Sequence, residues 1–455
     1  MVASIIVPLL IYPYVSRILQ AEGIGKVTFA QSVIYYFTMI AQLGVPTYGI
    51  RECAKVRDDK EALSKLVKEI LIINAVTCLV SYALFMLCLF TIPQMRENMA
   101  LFYVMSASTI LQVIGVEWFY SGIEKYDYLT IVALIFRVLM VIGAFVFIKT
   151  GEDYIWYGVI LVLGASGYGI INCAILPKYI SFKRNGKYDL KRHLKPIFVF
   201  FAMSVAVTIY TQMDSVMLGF IKGTTENGYY DAAVKIKMLM VSFITSLGTV
   251  IMPRAAYHLE RDENEKFNEL AGKAMSFVVA LSVPFCIYFI LYARPAIMLL
   301  SGEGFISSIA PMKLIMPTIV LIGITNIIGI QVMVPLKREK GVLYAEISGA
   351  VINLIVNAAL IPKLGAAGAA IGTVIAEAVV LIVECIYTKD LLYMMFKNVN
   401  WLKIVIATIA GTIASIWTLK LKCGSFLILL ISAVLFFAVY AAIMGRDMIK
   451  NIKAE

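Results

Sequence analysis

Long apolar stretches recur along the whole chain, separated by short polar connections. About 20 apolar residues carry a helix across the hydrocarbon core of a bilayer. Stretches near that length lie at approximately 2–19, 27–50, 68–92, 99–121, 128–148, 154–177, 195–221, 228–252, 270–292, 310–335, 342–361, 367–388, 402–419 and 424–444. The pattern predicts an all-α integral membrane protein with about fourteen transmembrane helices. The longest polar connections, around 51–68, 178–195 and 254–273, leave no separate aqueous domain between spans. The first stretch has neither a basic lead nor a small-residue cleavage site, so it reads as a retained helix and not a signal peptide.

Composition agrees: 61% of the 455 residues are hydrophobic and 15% charged, too apolar a surface for water to cover. The net charge of +11 changes the picture only once its placement is known. Taken over alternate connections, one side of the membrane receives 27 Lys and Arg and the other nine, leaving Arg137, Lys235, Lys237 and Lys313 at membrane depth. The positive-inside rule then puts the rich side and both termini in the cytoplasm. That placement accounts for most of the charge excess and leaves no reason to invoke nucleic acid. The seven cysteines are scattered without metal spacing, so neither a disulfide framework nor a metal site is expected. His193 and His258 fall in polar stretches and read as solvated side chains, with no enzyme chemistry attached.

An internal repeat is visible. Gly25-Lys-Val-Thr-Phe-Ala-Gln-Ser-Val33 resembles Gly228-Tyr-Tyr-Asp-Ala-Ala-Val-Lys-Ile236, and Glu124-Lys125 recurs as Glu339-Lys340, at offsets of roughly 200–215 residues. An even number of spans per repeat gives two halves of like orientation about an axis along the membrane normal, enclosing a cavity. The expected organisation is a six-helix lobe over 1–182, a second over 183–393, and two added helices with a tail over 394–455.

Ionisable groups at membrane depth are costly and usually face a cavity or a partner. Candidates are Glu117, Arg137, Asp214, Asp231, Lys235, Lys237, Lys313, Glu346, Glu377 and Glu384. Snorkelling to the interface accounts for Asp231, Lys313 and Glu384, which lie close to span ends, whereas Arg137 and Asp214 sit deeper. Asp231 and Lys235, one turn apart, are placed to pair. Cations lining a cavity suit an anionic phosphate or diphosphate, and carboxylates suit a coupling ion. The aromatic clusters at 35–37, 118–120 and 156–157 read as interfacial belts, and the small-residue run at 365–373 as a site of close helix packing.

Several stretches together resemble the polysaccharide-biosynthesis or O-antigen flippase family, the Wzx-type branch of the multidrug/oligosaccharidyl-lipid/polysaccharide exporters. They are Tyr12-Pro-Tyr-Val-Ser-Arg-Ile-Leu19 with Glu22-Gly-Ile-Gly25, Leu43-Gly-Val-Pro-Thr-Tyr-Gly-Ile-Arg-Glu52, Val116-Glu-Trp-Phe-Tyr-Ser-Gly-Ile-Glu-Lys125, and Tyr210-Thr-Gln-Met-Asp-Ser-Val-Met-Leu-Gly219 with Gly228-Tyr-Tyr-Asp-Ala-Ala233. Two departures stand out: the first helix begins late, and Ile-Val-Ala follows Thr130 where the family often carries an Arg-Asn pair.

The resemblance implies translocation of an undecaprenyl-diphosphate-linked oligosaccharide from inner to outer leaflet of the bacterial plasma membrane by alternating access, with no cofactor beyond a coupling proton or sodium ion. Expected partners are the lipid-linked oligosaccharide, the bilayer, and assembly proteins such as a polymerase and a chain-length regulator. The substrate-binding candidates are Arg17, Arg51, Arg137, Lys235, Lys237 and Arg254; the ion-coupling candidates are Glu117, Asp214 and Asp231. Rival readings are a multidrug cation antiporter or lipid II flippase of the same fold, which the buried cations and the motif set disfavour, and a membrane polymerase or ligase. For that last reading the longest outer connection, about 293–308, offers one Arg, one Glu and no His.

Overall fold

The structure is a computed structural model and describes residues 2–183, 187–248, 257–259, 261 and 263–452. The described residues are helical almost throughout, with no strand among them. In hydrocarbon every backbone N–H and C=O needs an internal partner, and a helix supplies it locally. Nine described helices are long and apolar enough to cross a membrane, or eleven if each of two bent pairs counts as one span. These run alongside fourteen expected spans, the first two of which share one rod. That rod, α1 (Val2–Gln42), bends at Gln20, whose φ of 56° is left-handed. The break falls in the polar stretch between the first two apolar runs.

The chain divides into two compact units, Met1–Gly228 and Tyr229–Glu455. In the first, α1 is followed by α2 (Val45–Val56), α3 (Lys60–Thr91), α4 (Met99–Ile114), α5 (Glu117–Gly122), α6 (Tyr126–Phe147), α7 (Tyr154–Ser166), α8 (Tyr168–Ile175) and α9 (Lys191–Ile221). The stretch expected as one span over 27–50 is broken at Leu43–Gly44, both at positive φ, and Pro46 opens α2. Gly44 is required there: a Cβ would overlap the backbone of α9 at Ile197 and Phe200–Phe201. Gly25 likewise lies against the carbonyl of Thr224, and Gly228 against that of Ala21, so the two glycines of the sequence repeat are places where backbones meet.

Trp118, Phe119 and Tyr120 correct the expectation of an interfacial belt. They are 5%, 0% and 0% exposed and anchor a core with Tyr48, Leu66 and Ile70. The turn at Val116 (φ 39°) re-aims α5 so that its aromatic face points into the unit. Trp156, by contrast, is exposed and stacks on Phe147.

The second unit contains α10 (Thr224–Gly248, whose first residues lie in the first unit), α11 (Asn264–Leu291), α12 (Ala293–Leu300), α13 (Ile309–Ile315), α14 (Thr318–Thr325), a π-helix (Asn326–Met333), α15 (Glu339–Leu364), α16 (Ala366–Tyr387), α17 (Leu392–Phe396), α18 (Trp401–Ser415) and α19 (Ser425–Ile452). The small-residue run performs the packing expected of it. Gly368 faces the Leu360 carbonyl and Gly372 the Asn357 side chain, letting α16 lie directly on α15. Tyr288, Tyr292 and Phe436 join α11 to α19, with the Tyr288 hydroxyl donating to the Leu429 carbonyl at 2.9 Å.

Candidate functional site

Polar side chains on α1, α4, α7 and α8 are drawn together inside the first unit by their helices' apolar packing. Thr38 and Thr109 share a hydrogen bond of 2.7 Å. Gln42 donates to Gln112 Oε1 at 3.2 Å, and Gln112 donates to Ser166 Oγ at 3.3 Å. Thr38, Gln42, Gln112 and Ser166 line two adjoining cavities of about 330 and 440 Å³, which share Gln42, Pro46 and Gln112. Glu117, Trp118, Ser121 and Tyr168 line the first; Tyr35, Thr47, Ser204 and Thr208 line the second.

Glu117 owes its place to the α4–α5 break. It opens α5, where a negative charge suits the exposed N–H groups of a first turn, and its Oε2 accepts a 2.6 Å hydrogen bond from the Tyr168 hydroxyl. Gly115 and Gly169 lie against each other, so α4 and α8 cross closely enough for Tyr168 to reach it. Buried Asn172 holds the break: its Nδ2 donates to the Gly115 carbonyl at 3.0 Å, and its Oδ1 accepts from Tyr128 at 2.8 Å. Arg137 on α6 acts electrostatically on the same Tyr168 hydroxyl. The structure therefore sets Glu117 against Tyr168, a residue that sequence reasoning passed over, within the electrostatic reach of Arg137.

The other candidates are dispersed. Arg51 is half-exposed, pairs with Glu52 at 3.0 Å, and covers the rings of Tyr48 and Phe200, the latter a wall residue of the second cavity. Arg17 is exposed at the bend of α1, where it donates to the Pro13 carbonyl. Asp214 is buried and acts electrostatically on Tyr36. In the second unit, buried Asp231 pairs with Lys235 at 3.5 Å, as their spacing predicts. Lys237 is half-buried on the same helix. Arg254 lies outside the described residues.

The expectation of two solvated histidines is corrected. His193 is 2% exposed; its Nδ1 meets the Tyr48 hydroxyl at 2.5 Å and its Nε2 meets Glu69 at 2.9 Å, while Arg192 also binds Glu69. A buried carboxylate needs such partners, and α9 brings them from more than a hundred residues away. His258 is partly buried against Glu263 at 2.6 Å, and this pair with Lys266 holds the Glu263 carboxyl below the usual range.

Chemically, amides, hydroxyls and aromatic faces with one carboxylate make a lining fit for a polyhydroxylated cargo. Among the described residues no group of acidic, His or Cys side chains could hold a metal. The model of the polysaccharide biosynthesis protein family matches residues 1–259, more than half of the chain. The chain belongs to that family. Over 87% of its length it is 24% identical to an Escherichia coli (strain K12) protein named "Putative O-antigen transporter", covering 94% of that relative. Its fold matches the solved lipid II flippase MurJ in an inward closed conformation, with a TM-score of 0.74 and 18% identity, covering 98% of this chain and 99% of that one. An inward-facing multidrug resistance transporter of the MATE family is also similar, at TM-score 0.65 and 16% identity over 86% of this chain and 95% of that one. This member of the polysaccharide biosynthesis family is a multi-pass membrane protein and not an enzyme.

Proposed function

We propose that the protein carries an undecaprenyl-diphosphate-linked oligosaccharide repeat unit from the inner to the outer leaflet of a bacterial plasma membrane, by alternating access, for O-antigen, capsule or exopolysaccharide assembly. The lining of the joined cavities carries this reading: Gln42, Gln112, Ser121, Ser166, Thr38 and Tyr168 offer donors and acceptors to sugar hydroxyls, and Trp118 adds an apolar surface to the wall of the first cavity. A transporter of cationic drugs would favour acidic walls. Here Arg51 covers the ring of Phe200, a wall residue of the second cavity, and Arg137 acts electrostatically on Tyr168 of the first; both cations suit the diphosphate. The lobes are assigned to 1–182 and 183–393, with two further helices over 394–455 and both termini cytoplasmic. A proton or sodium ion on Glu117, Asp214 or Asp231 biases the cycle, and a polymerase and a chain-length regulator take the product onward.

The test is complementation of a strain lacking the gene. The strain should accumulate lipid-linked units on the cytoplasmic side and lose surface polymer. Arg137→Ala, Asp214→Asn and Glu117→Gln should each fail to restore export at unchanged membrane levels. Normal surface polymer in the deleted strain, with no second copy of the gene and no accumulated units, would overturn the reading.

A further inference from the structure

Glu384 lies one turn before the end of α16, where snorkelling to the interface would be expected. The structure shows otherwise: the residue is 2% exposed, and its Oε2 has no hydrogen-bond partner. The opposite wall is the π-helix 326–333, whose Gly329 leaves the space the carboxyl fills. A Cβ at Gly329 would overlap Glu384 Oε1. A π-helix within a span is uncommon and tends to mark a functional site, and this one belongs to a segment bent by 43° between Glu303–Ile315 and Thr318–Met333.

The charged groups around Glu384 are those of the elements packed on α16. Glu346 on α15 and Glu377 on α16 itself act on it electrostatically. Cys385 and Tyr387 flank it on its own helix, while Glu339, Lys340 and Tyr344 stand at the start of α15, and Lys313 on α13 is exposed; Arg338, just before α15, donates to the Tyr387 carbonyl and is paired with Asp390. Neither α14 nor the π-helix carries an ionisable side chain. Two neighbours of like charge and no cation partner among the described residues make an ionised carboxylate costly in a water-poor socket. A metal ion is a poor fit, because the described acidic side chains do not converge on a common point.

We infer that Glu384 is a proton-binding site of this protein: the carboxyl holds a proton from bulk water as a neutral acid while α16 and the π-helix enclose it, and releases that proton when the socket opens to water. The site is separate from Glu117, Asp214 and Asp231, and it does not depend on the cargo. Because the enclosed form binds the proton more tightly, acid favours the closed socket.

The test is infrared spectroscopy of the purified full-length protein in lipid nanodiscs, titrated with pH in the absence of cargo. At neutral pH the wild type should show a carboxylic-acid C=O band that Glu384→Gln removes and Glu377→Gln retains. Gly329→Ala, which keeps the carboxyl but crowds it towards water, should move the band's loss to lower pH. The inference is overturned if the wild type lacks the band at neutral pH, if Glu384→Gln keeps it at full intensity, or if Gly329→Ala leaves its titration unmoved. Since no cargo is present, these outcomes are independent of the export test.

Discussion

Replacing Asn172 with leucine tests how the α4–α5 break is held. The substitution keeps the side chain's approximate size and removes two hydrogen bonds, from Nδ2 to the Gly115 carbonyl and from Tyr128 to Oδ1. The backbone bond from the Tyr120 hydroxyl to the Asn172 carbonyl survives. Two neutral bonds contribute about 1–3 kcal/mol together in a soluble protein. Side-chain bonds between membrane helices average nearer about 0.6 kcal/mol each. The buried Gly115 carbonyl left without its partner adds about 1 kcal/mol, so the expected loss is roughly 2 kcal/mol.

The assay is reversible unfolding in mixed detergent micelles, combined with Tyr128→Phe in a double-mutant cycle. The Asn172–Tyr128 coupling should be about 0.5–1 kcal/mol. Export should also fall, because Glu117 and Trp118 hang from the same turn. A stability within about 0.5 kcal/mol of wild type, with normal export, would show that the turn does not depend on Asn172.

Two further outcomes follow from the polar clusters. Removing Glu69 by Glu69→Ala should cost about 1–3 kcal/mol in the same unfolding assay, below the usual figure for a broken buried pair because half-exposed Arg192 can return to water. An undiminished stability would refute the link between α3 and α9. Arg338 forks onto Asp390 through two 2.8 Å bonds, and this holds the Asp390 carboxyl below its usual range. A depressed carboxylate stabilises the fold above its unfolded pKa and loses that contribution as pH falls through the folded value. Asp390→Asn should therefore lower stability by under about 1 kcal/mol at neutral pH, as expected for an exposed pair, and the difference from wild type should vanish in strong acid. A difference that persists there would contradict the fork.

Much of the architecture was legible in the sequence because a bilayer demands long apolar helices, and such helices show themselves in one dimension. The Asp231–Lys235 pair and the close packing of 365–373 were legible for a similar reason, since helical period and residue size are local properties. Most of the polar lining was not. Gln42, Gln112 and Tyr168 are single polar residues in apolar runs; that signal could have marked them, but only packing decides which of them share a cavity.

Tertiary structure also decided burial. His193 looked solvated until α9 laid it beside Tyr48 and Glu69, Trp118–Tyr120 looked interfacial until the Val116 turn swung them inward, and Glu384 looked able to reach water until Gly329 closed over it. By itself the sequence determined that this chain is a membrane-embedded helical protein with ionisable groups at membrane depth, because the cost of exposing polar backbone to lipid is paid residue by residue. Which polar groups meet and which become buried depends on contacts between residues far apart in the chain, and only the packed helices decide those.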